Sequence, residues 1–388
     1  MINSDLYISL MKLNEICEVY SGYAIKEFNN IKKGLPVIKI GNILTDGTLN
    51  LGECQFSTED INEKYHSKKG DIYVALSGAT TGKLGIMEDE KKYIINQRVG
   101  IIRLKQKSVS QSYIKFFLLK QTERIIDEAT GCAQPNISPK QIGEYDVPVF
   151  PEKEMLQISD ILNNIVCVIK HYKAMIKKYD DLIKARFIEM FGDPVADTKN
   201  WGQTLLKEHL ESIRYGTSTP PIFTDDGYAF IRATNIKNGK IVTNDMKYIP
   251  QEEADRLEKC KLSGGEIIIV RSGVNAGDTC VVTDEYIGQY AGYDMILVLS
   301  SDLHPVFFNT LINTEYMDKV VKPLTRRAAQ PHLNSEQTQR LPIIEVPFEL
   351  QEQFADFVKQ VDKSREAVKK SLEKTKQLYD SLMQEYFG

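Results

Sequence analysis

The sequence predicts an α+β protein made by tandem duplication, with two similar mixed α/β globular domains that are each followed by a long helix. Two heptad seams of apolar residues predict the helices, one within residues 151–192 and the other within residues 348–388. Segments of the first half recur in the second half about 196 residues later, a period far too long for a solenoid. The two helices are therefore expected to pair as a long antiparallel two-helix coiled coil, which relates the halves by a pseudo-twofold axis.

The composition is typical of a globular protein. The chain has 388 residues, a length that predicts two or three domains, with 42% hydrophobic and 26% charged residues. No apolar run is long enough to span a membrane and the N-terminus lacks a signal-peptide pattern, so we expect a cytoplasmic protein. The net charge of −4 gives no global basic surface, so nucleic-acid binding would need locally concentrated basic residues.

Cysteine and histidine residues predict neither disulfides nor a metal site. The six cysteines are scattered without a C-x-x-C pair and are expected to be reduced thiols. The five histidines form no ligand-spaced cluster with them. We therefore expect no metal and no cofactor.

The first globular domain, residues 1–150, is predicted to mix strands and helices. Runs of β-forming residues bounded by turn residues predict strands at Leu35–Ile43, Asp71–Leu76 and Val99–Leu104. The segment Gln111–Glu128 has the spacing of an amphipathic helix. The residues expected to face inward from that helix are Tyr113, Phe116, Phe117, Leu119 and Ile125.

The first long helix is predicted over residues 151–192. No proline or glycine interrupts the chain from Glu152 to Phe191, and at 1.5 Å per residue such a helix is about 55 Å long. Gly192 and Pro194 end it, and residues 193–203 form a polar linker. Its apolar seam needs a partner helix. The seam residues are Met155, Ile158, Leu162, Ile165, Ile169, Tyr172, Ile176, Tyr179 and Ile183.

The second half repeats this order, with a globular domain at residues 204–347 and a long helix at residues 348–388. The segment LPVIKIGNIL at 35–44 matches YAFIRATNIK at 228–237, and KKGDIYVALSG at 68–78 matches SGGEIIIVRSG at 263–273. The second seam is weaker, because Arg365 and Thr375 occupy seam positions. A helical hairpin that only stabilises the fold is the alternative to a coiled-coil spacer between two modules.

A glycine loop follows a strand in each half. Residues 77–83, SGATTGK, have one residue too few between the glycines for a P-loop, and Leu84 replaces the Ser/Thr. The second copy ends in Asp278 and lacks the lysine, which argues against nucleotide binding. Such a loop can bring N–H groups and hydroxyls close to a DNA backbone, or it can be a plain β-turn. The DNA-binding candidates in the loops are Ser77, Thr80, Thr81, Lys83, Arg271, Ser272 and Asn275.

Each half also contains a Gln-Pro pair before a polar turn and a helix start. Gln and Asn can hydrogen-bond adenine and Arg can hydrogen-bond guanine; the alternative is that the glutamines cap a turn. For Arg326 and Arg327 we expect phosphate contact. The DNA-binding candidates in these segments are Gln134, Asn136, Arg326, Arg327 and Gln330.

Two further DNA-binding candidate pairs, Lys39 with Asn42 and Arg232 with Asn235, occupy equivalent positions in the halves. Strand alternation places Lys39 and Arg232 opposite the apolar face of their strand. They are expected to face either DNA or only solvent.

The sequence contains no catalytic constellation. It has no nucleophile elbow, no carboxylate cluster repeated in both halves and no Gly-rich turn of the dinucleotide type. Pro220 and Pro221 are followed by Ile222, which departs from the Asn/Asp-Pro-Pro-Tyr/Phe motif of methyltransferases. The chain is therefore expected to bind and not to catalyse.

The order of these features resembles the specificity (S) subunits of type I restriction-modification systems. The residues that carry the resemblance are the helix end LIKARFIEMFGDP at 182–194, the K-x-G-D-I strand at Lys68–Ile72, the A-Q-P segments, and the P-x-x-x-x-x-Q helix starts at Pro151 and Pro347. The resemblance covers the chain from Met11 to Gly388. No single motif is highly specific, but their order and duplication are.

This resemblance implies that each globular domain is a target recognition domain that reads one half-site of a two-part double-stranded DNA sequence. The long helices would set the gap between half-sites, which sit roughly 34–36 Å apart when they are read from one face. They would also bind two adenine-methyltransferase (M) subunits, with the outer polar face of the first helix as the docking surface. Motor-nuclease (R) subunits would complete the complex, and the S chain itself would be non-catalytic.

Three other functions stay open. The chain could be a subunit of a type IIB-like enzyme, in which one partner chain both restricts and methylates. It could be a coiled-coil scaffold whose globular ends bind proteins, and it would then lack the DNA affinity that falls with salt. The third alternative is an NTPase, and a nucleotide-binding assay would test it.

Overall fold

The computed structural model of the protein describes residues 9–105, 109–129, 135–325 and 331–388. The chain divides into two compact units. Unit 1 comprises the residues up to Tyr172 together with Ser371–Gly388, and unit 2 comprises Lys173–Lys370. Each unit therefore contains one globular part and a portion of both long helices.

Unit 1 combines short strands with short helices. Its strands are β1 (Ser9–Lys12), β2 (Cys17–Ser21), β3 (Leu35–Ile38), β4 (Gln55–Ser57), β5 (Ile72–Ala75), β6 (Leu84–Ile86), β7 (Ile94–Ile95), β8 (Val99–Leu104) and β9 (Asp146–Val149). Its helices are α1 (Leu13–Ile16), α2 (Gln111–Lys120), α3 (Thr122–Glu128), α4 (Pro139–Gly143) and α5 (Glu152–Phe191), the last of which continues into unit 2. The strands form an antiparallel sheet in the order β2-β8-β5-β6, a mixed sheet in the order β4-β3-β7, and the pair β1-β9.

The central strand β5 of unit 1 is buried on both faces. Successive side chains of a strand point to opposite sides, so Ile72 and Val74 pack into a core with Phe116 of α2. Tyr73 and Ala75 pack into a second core on the other side of the sheet. Burial on both sides explains why the sequence of β5 is continuously apolar instead of alternating.

Unit 2 repeats this arrangement. Its strands are β10 (Gln203–Leu205), β11 (Leu210–Tyr215), β12 (Tyr228–Ile231), β13 (Ile236–Lys237), β14 (Lys240–Ile241), β15 (Lys247–Ile249), β16 (Ile267–Ile269), β17 (Thr279–Val281), β18 (Tyr290–Ala291), β19 (Met295–Leu299) and β20 (Pro342–Ile344). Its helices are α6 (Gln251–Arg256), α7 (Pro305–Ile312), α8 (Lys322–Thr325), α9 (Ser335–Gln339) and α10 (Phe348–Phe387). The sheet orders β11-β19-β16-β17 and β15-β12-β18 match those of unit 1, and β13-β14 adds a small hairpin.

The long helices α5 and α10 have 40 residues each. In unit 1, Met155 and Ile158 from the start of α5 share one core with Tyr386 and Phe387 from the end of α10. In unit 2 the ring of Phe187, near the end of α5, lies 5.5 Å from the ring of Phe354, near the start of α10. The two helices are therefore antiparallel within each unit, as the sequence predicts. No helix in the described ranges is long and apolar enough to cross a membrane.

Arg365, which interrupts the seam of α10, is buried and paired with two carboxylates. Its Nη1 donates a 2.9 Å hydrogen bond to Asp180 Oδ1 of α5, and its Nη2 lies 3.0 Å from Asp362 Oδ1. Lys240 of β14 approaches Asp362 Oδ1 to 3.0 Å. Burial, and then the neighbouring charges of Asp180 and Glu366, raise the pKa of Asp362 to about 6. The seam defect seen in the sequence is therefore an ion-pair network that joins both helices to the hairpin.

The predicted strand at Leu35–Ile43 is too long. The strand β3 ends at Ile38, and a 3-10 turn follows at Ile40–Asn42. The Asn42 side chain accepts a hydrogen bond from the Lys39 N–H at 2.9 Å. Local side-chain bonds of this kind compete with the sheet ladder and so end the strand.

The predicted helix Gln111–Glu128 is two helices, because the chain turns at Gln121. The Gln121 N–H donates to the carbonyl oxygens of both Phe117 and Leu118, which tightens the last turn of α2. As a result Leu118 is buried and Leu119, which was expected to face inward, is only half-buried.

Phe187 provides a test of how the long helices hold unit 2 together. Its buried ring contacts the rings of Phe191, Phe307 and Phe354 at centroid distances of 5.0, 5.4 and 5.5 Å. We expect Phe187→Ala to lower the free energy of unfolding by about 3–5 kcal/mol, because it leaves a cavity among aromatic rings. Urea denaturation would measure the change.

The matched control for this variant is Leu182→Ala, since Leu182 lies on the same helix and its side chain is 46% exposed. The control should change the free energy of unfolding by no more than about 0.5 kcal/mol. Similar losses in the two variants would contradict the packing described above.

Candidate nucleic-acid interface

In unit 1 the glycine loop packs against the segment that follows the Gln-Pro pair. The loop joins β5 to β6, and Gly78 and Gly82 adopt φ values of +84° that favour glycine. The Gly78 N–H donates to the Pro135 carbonyl oxygen at 3.1 Å, and the Ile137 N–H donates to the Leu76 oxygen at 2.9 Å. Two motifs that the sequence shows separately thus form one surface feature.

Unit 2 contains the same main-chain arrangement between β16 and β17. The Gly273 N–H donates to the Pro331 oxygen at 3.1 Å, and the Leu333 N–H donates to the Arg271 oxygen at 2.8 Å. The loop is closed in the same way in both units, by Gly82 N–H to Ala75 oxygen and by Gly277 N–H to Val270 oxygen. The two loops therefore have equivalent main-chain hydrogen bonds, one for one.

The side chains of the unit 1 loop divide into inward and outward groups. Ser77 is buried, and the Thr81 hydroxyl donates to the Gly78 oxygen at 2.7 Å within the loop. The Thr80 hydroxyl oxygen is buried without a partner among the described residues. Lys83 is half-buried and Asn136 is exposed, so these two of the predicted residues are the most available to a ligand.

The side chains of the unit 2 loop differ at most positions. Ser272 is exposed, and its hydroxyl lies 2.9 Å from His332 Nδ1. Val274 occupies the loop tip with its side chain 95% exposed, and Asn275 beside it is half-buried. Arg271 stacks on the ring of Tyr215, with 4.8 Å between the guanidinium carbon and the ring centroid.

Four predicted residues, Gln134, Arg326, Arg327 and Gln330, lie outside the described residues. Their neighbours in the chain, Pro135 and Pro331, are the acceptors for the loop glycines Gly78 and Gly273. The predicted DNA contacts of these four residues stay predictions.

The amide side chains of Asn42 and Asn235 are used inside their own turns. Asn42 Nδ2 donates to the Asn50 oxygen at 2.9 Å, and Asn235 Nδ2 donates to the Val242 oxygen at 3.1 Å. Both amides are buried. These two side chains hold the 3-10 turns that follow β3 and β12.

The basic partners of these asparagines are also engaged within the fold. Lys39 Nζ contacts Gln55 and lies 3.5 Å from the ring centroid of Phe28, and burial lowers the pKa of Lys39. Arg232 Nη2 lies 2.9 Å from Asp245 Oδ2. Since β3 and β12 end one residue before them, strand alternation does not fix where these two side chains point.

The K-x-G-D-I motif is structural. Asp71 is buried and forms two hydrogen bonds with Arg103, Nε to Oδ1 at 2.8 Å and Nη2 to Oδ2 at 2.7 Å. In unit 2 the equivalent Glu266 is paired with Arg214 at 3.2 Å and accepts from the Gly264 N–H at 2.7 Å. The motif fixes the turn before the central strand of each unit.

Sequence reasoning missed Asp294, which lies at the base of the unit 2 loop. It is buried directly before β19, and its Oδ1 accepts from the Arg271 N–H at 3.0 Å. Burial raises its pKa to about 6. The signal available in the sequence is a lone carboxylate at the start of the apolar run MILVL.

A second candidate surface is the exposed flank of α5. Ile161, Val168, Met175 and Leu182 recur every seven residues, each one position before a residue of the apolar seam. All four are exposed, whereas positions beside a two-stranded seam are usually charged. This apolar flank is separate from the outer polar face of α5, on which the sequence predicts docking. Leu156 and Ile188 are exposed apolar residues towards the two ends of the same helix.

The equivalent flank of α10 is more polar. Its positions, each one before a seam residue, are occupied by Phe357, Ser364, Ser371, Leu378 and Glu385. An apolar row beside the seam is typical of a helix in a bundle of more than two helices. Of the two long helices, α5 thus has the better surface for a further helix.

Comparison with known proteins identifies the family. A family model described as a type I restriction modification DNA specificity domain matches residues 8–177 and 211–377. The chain belongs to this family of type I restriction-modification specificity subunits. The resemblance inferred from the sequence and the tandem α+β fold are therefore confirmed.

Individual relatives are distant but are matched over most of their length. The chain is 19% identical to the EcoBI type I restriction enzyme specificity subunit of Escherichia coli, covering 97% of this chain and 85% of the relative. It is 21% identical to the MjaVIII specificity subunit of Methanocaldococcus jannaschii, covering 83% and 79%.

Two solved structures share the fold. The S subunit from M. genitalium superposes with a TM-score of 0.60 at 15% identity and covers 100% of this chain and 98% of that chain. A chain from work on complex assembly and conformational transition of the type I R-M system gives a TM-score of 0.58 at 15% identity, covering 99% of both chains.

The buried carboxyl of Asp294 predicts a specific pH dependence of stability. Its folded-state pKa of about 6 lies above the ordinary aspartate value of 3.8, so ionisation of this group opposes folding. Its stability contribution is complete below about pH 4 and is lost as the pH rises through about 6. Asp294→Asn cannot ionise, so its melting temperature relative to the unmodified protein should rise across that window. Roughly 3 kcal/mol is the upper bound of the difference at neutral pH.

The measurement is a series of thermal melts from pH 4 to pH 8 on both proteins. The exposed Asp284→Asn serves as a control for the general effect of removing a negative charge. A pH-independent difference between Asp294→Asn and the unmodified protein would contradict the expected linkage.

Proposed function

We propose that the chain recognises a two-part double-stranded DNA sequence, with one half-site bound by each unit, and that it directs the other subunits of a type I restriction-modification complex. The observation that carries this proposal is the repeated glycine loop, held by matching main-chain hydrogen bonds in both units while its side chains differ. A constant frame with variable side chains is what two recognition sites for different short sequences require.

The proposed interface in each unit is centred on the loop and the segment packed against it. Lys83 supplies a positive charge in unit 1, and Arg271 supplies one in unit 2. Asn42, Asn235, Lys39 and Arg232 are left out of the interface because the fold uses their side chains. The proposed contacts are Ser77, Thr80, Thr81, Lys83, Gln134, Asn136, Arg271, Ser272, Asn275, Arg326, Arg327 and Gln330.

The two half-sites should differ in sequence. At equivalent loop positions the units carry Lys83 and Asp278, side chains of opposite charge. Asn136 in unit 1 is matched by His332 in unit 2. Since base discrimination comes from the donors and acceptors placed in the groove, such differences imply different preferred bases.

The chain supplies recognition, and the partner subunits supply the chemistry. Within the described ranges no group of three or more His, Cys, Asp or Glu side chains could hold a metal ion. The resemblance assigns methyl transfer to two M subunits and DNA cleavage to R subunits, and places the complex in the cytoplasm with its DNA. The alternative in which one partner chain does both, as in type IIB-like enzymes, shares the same recognition surface.

The apolar flank of α5 is the proposed docking surface for a methyltransferase subunit. Its heptad spacing fits a helix of the partner, and burial of its exposed residues would extend the existing seam into a bundle. Exposed Lys178, three residues after Met175 and four before Leu182, borders this flank and favours an acidic residue at the edge of the partner helix.

The function is tested by expressing the chain with its methyltransferase subunits and sequencing the methylated bases of the host genome. We expect methylation at one two-part sequence. Binding of that duplex by the complex should weaken with salt, and Lys83→Ala should reduce the slope of log affinity against log salt by about 1. Lys69→Ala, in an exposed pair with Glu90, is the matched control.

Two results would contradict this function. One is methyl transfer or cleavage by the isolated chain. The other is an affinity for DNA that does not change with salt, which would favour a protein-binding scaffold instead.

Docking on α5 is tested with Leu182→Glu. We expect the variant to stay folded, because the Leu182 side chain is already half in solvent, and to lose co-purification with the methyltransferase subunit. A carboxylate buried without a partner in an apolar interface should weaken the complex at least about tenfold. Lys177→Glu, at an exposed position on the opposite face of the same helix, is the control that should bind normally. Equal binding by both variants would refute this docking surface.

A further inference from the structure

The base of the unit 2 loop holds a polar cluster that the loop itself does not require. The Arg271 guanidinium lies on the ring of Tyr215, and the Arg271 main-chain N–H donates to the buried Asp294 carboxylate at 3.0 Å. The Tyr215 hydroxyl accepts from the Ser335 N–H at 2.9 Å, which fixes the ring from its far end. Arginine, its stacking ring and its carboxylate therefore come from three separate strands or strand ends.

Unit 1 shows that the fold can do without this cluster. Strand registers place Leu76 at the position of Arg271, Ser21 at that of Tyr215 and Val99 at that of Asp294. The Leu76 N–H donates to a main-chain oxygen, that of Arg98, at 2.9 Å. A carbonyl oxygen in unit 1 thus does what the Asp294 carboxylate does in unit 2.

The buried Asp294 carboxylate also opposes folding. Asp294 is buried, its Oδ2 has no hydrogen-bond partner among the described residues, and its pKa is raised by burial. A buried charge opposes folding unless something compensates for its lost hydration. Residues that oppose folding in this way are concentrated at functional sites.

The geometry restricts how Arg271 can bind a ligand. One face of its guanidinium is covered by Tyr215, and its Nε is buried without a partner in the described ranges. The donors left for a ligand are the two terminal amino groups, Nη1 and Nη2, which lie in one fixed plane. Two parallel donors in a fixed plane match the O6 and N7 acceptors of guanine in the major groove.

We propose that Arg271 reads a guanine in the half-site bound by unit 2, that Tyr215 holds its guanidinium in plane, and that Asp294 is a positioning residue that fixes the Arg271 main chain. Unit 1, with Leu76 at this position, has no such reader. The proposal rests on the proposed function, because it needs DNA at the unit 2 loop. A contact from Arg271 to a phosphate is the competing outcome, and the experiment is designed to separate the two.

The experiment uses the chain in complex with its methyltransferase subunits and the two-part duplex found by methylome sequencing. Each guanine is replaced in turn by 7-deazaguanine, which lacks the N7 acceptor. We expect one guanine, in one half only, at which this replacement weakens binding roughly 5- to 150-fold, the range for a bidentate base contact. Arg271→Ala should weaken binding of the unmodified duplex by a similar factor and should abolish the sensitivity to that one replacement.

Arg271→Lys separates a base contact from a phosphate contact. Lysine keeps the charge but loses the planar pair of donors. We expect it to behave like Arg271→Ala towards the 7-deazaguanine series. If Arg271→Lys binds with unchanged affinity and keeps the sensitivity, Arg271 contacts phosphate and the proposal is overturned.

Asp294→Ala tests the positioning role, because it removes the oxygen that accepts from the Arg271 main-chain N–H, which an asparagine would keep. The readout is the ratio of affinities for the unmodified and the 7-deazaguanine duplexes, which should fall towards 1 in a variant whose melting temperature shows that it is folded. A uniform loss of affinity for every duplex, with the ratio unchanged, would reduce Asp294 to a structural role and overturn its assignment. Arg340→Ala, on an exposed ion pair of the same unit, is the control for loss of an arginine.

A complex that methylates no two-part sequence would instead refute the proposed function.

Discussion

The ends of the long helices are buried inside the cores of the units. In unit 1 the last turns of α10 place Met383, Tyr386 and Phe387 among residues of the sheet and of α2. In unit 2 the ring of Phe354, from the first turns of α10, meets Phe187 and Phe191 of α5. Long isolated helices are marginal in water, and their stability in proteins comes from an apolar face that is packed. The helices and the globular parts therefore depend on each other, and neither forms a separate module.

This dependence makes unit 1 discontinuous in sequence. Its core needs Ser371–Gly388, which follows all of unit 2 in the chain. Loop-closure entropy must be overcome before such distant contacts stabilise the fold. The duplication limits this loop-closure cost to unit 1, because unit 2 is continuous in sequence from Lys173 to Lys370 and has a complete core of its own.

The features that the sequence predicted well are those with a period or a repeat. The heptad seam gave α5, and the 68–78 and 263–273 matches gave the two central strands with their loops. Prediction failed where a single side chain decides the local structure, as when Asn42 ends β3 or the chain turns at Gln121. No pattern in the chain shows that the amides of Asn42 and Asn235 point into their own turns, because a buried amide and a base-reading amide have the same sequence signature.

Only part of the candidate interface could be predicted from the sequence, because its other contacts join residues that are far apart in the chain. Glycines with positive φ mark the loops in the sequence, but the hydrogen bonds that join Gly78 to Pro135 link residues far apart in the chain. The cluster of Arg271, Tyr215 and Asp294 depends on strand register, which sequence spacing alone does not fix. Main-chain bonds hold the same frame in both units, so side chains at its edge can change without loss of fold. Asp294 is buried with its Oδ2 unpaired among the described residues, so this side chain at the base of the loop opposes folding.

Arg365 shows how a departure from an ideal seam can be useful. An uninterrupted apolar seam tolerates a shift of one heptad with little loss, because each residue meets another of similar kind. Arg365 removes that tolerance, since its Nη1 meets Asp180 of the partner helix in the observed register and would lose this partner in a shifted one. An ion pair of this kind adds little net stability, yet loss of its partner leaves the buried Arg365 charge uncompensated. The contact of Lys240 with Asp362 ties the globular hairpin β13-β14 to the same register. A polar residue that weakens the seam therefore specifies how the helices align, which an apolar residue at this position could not do.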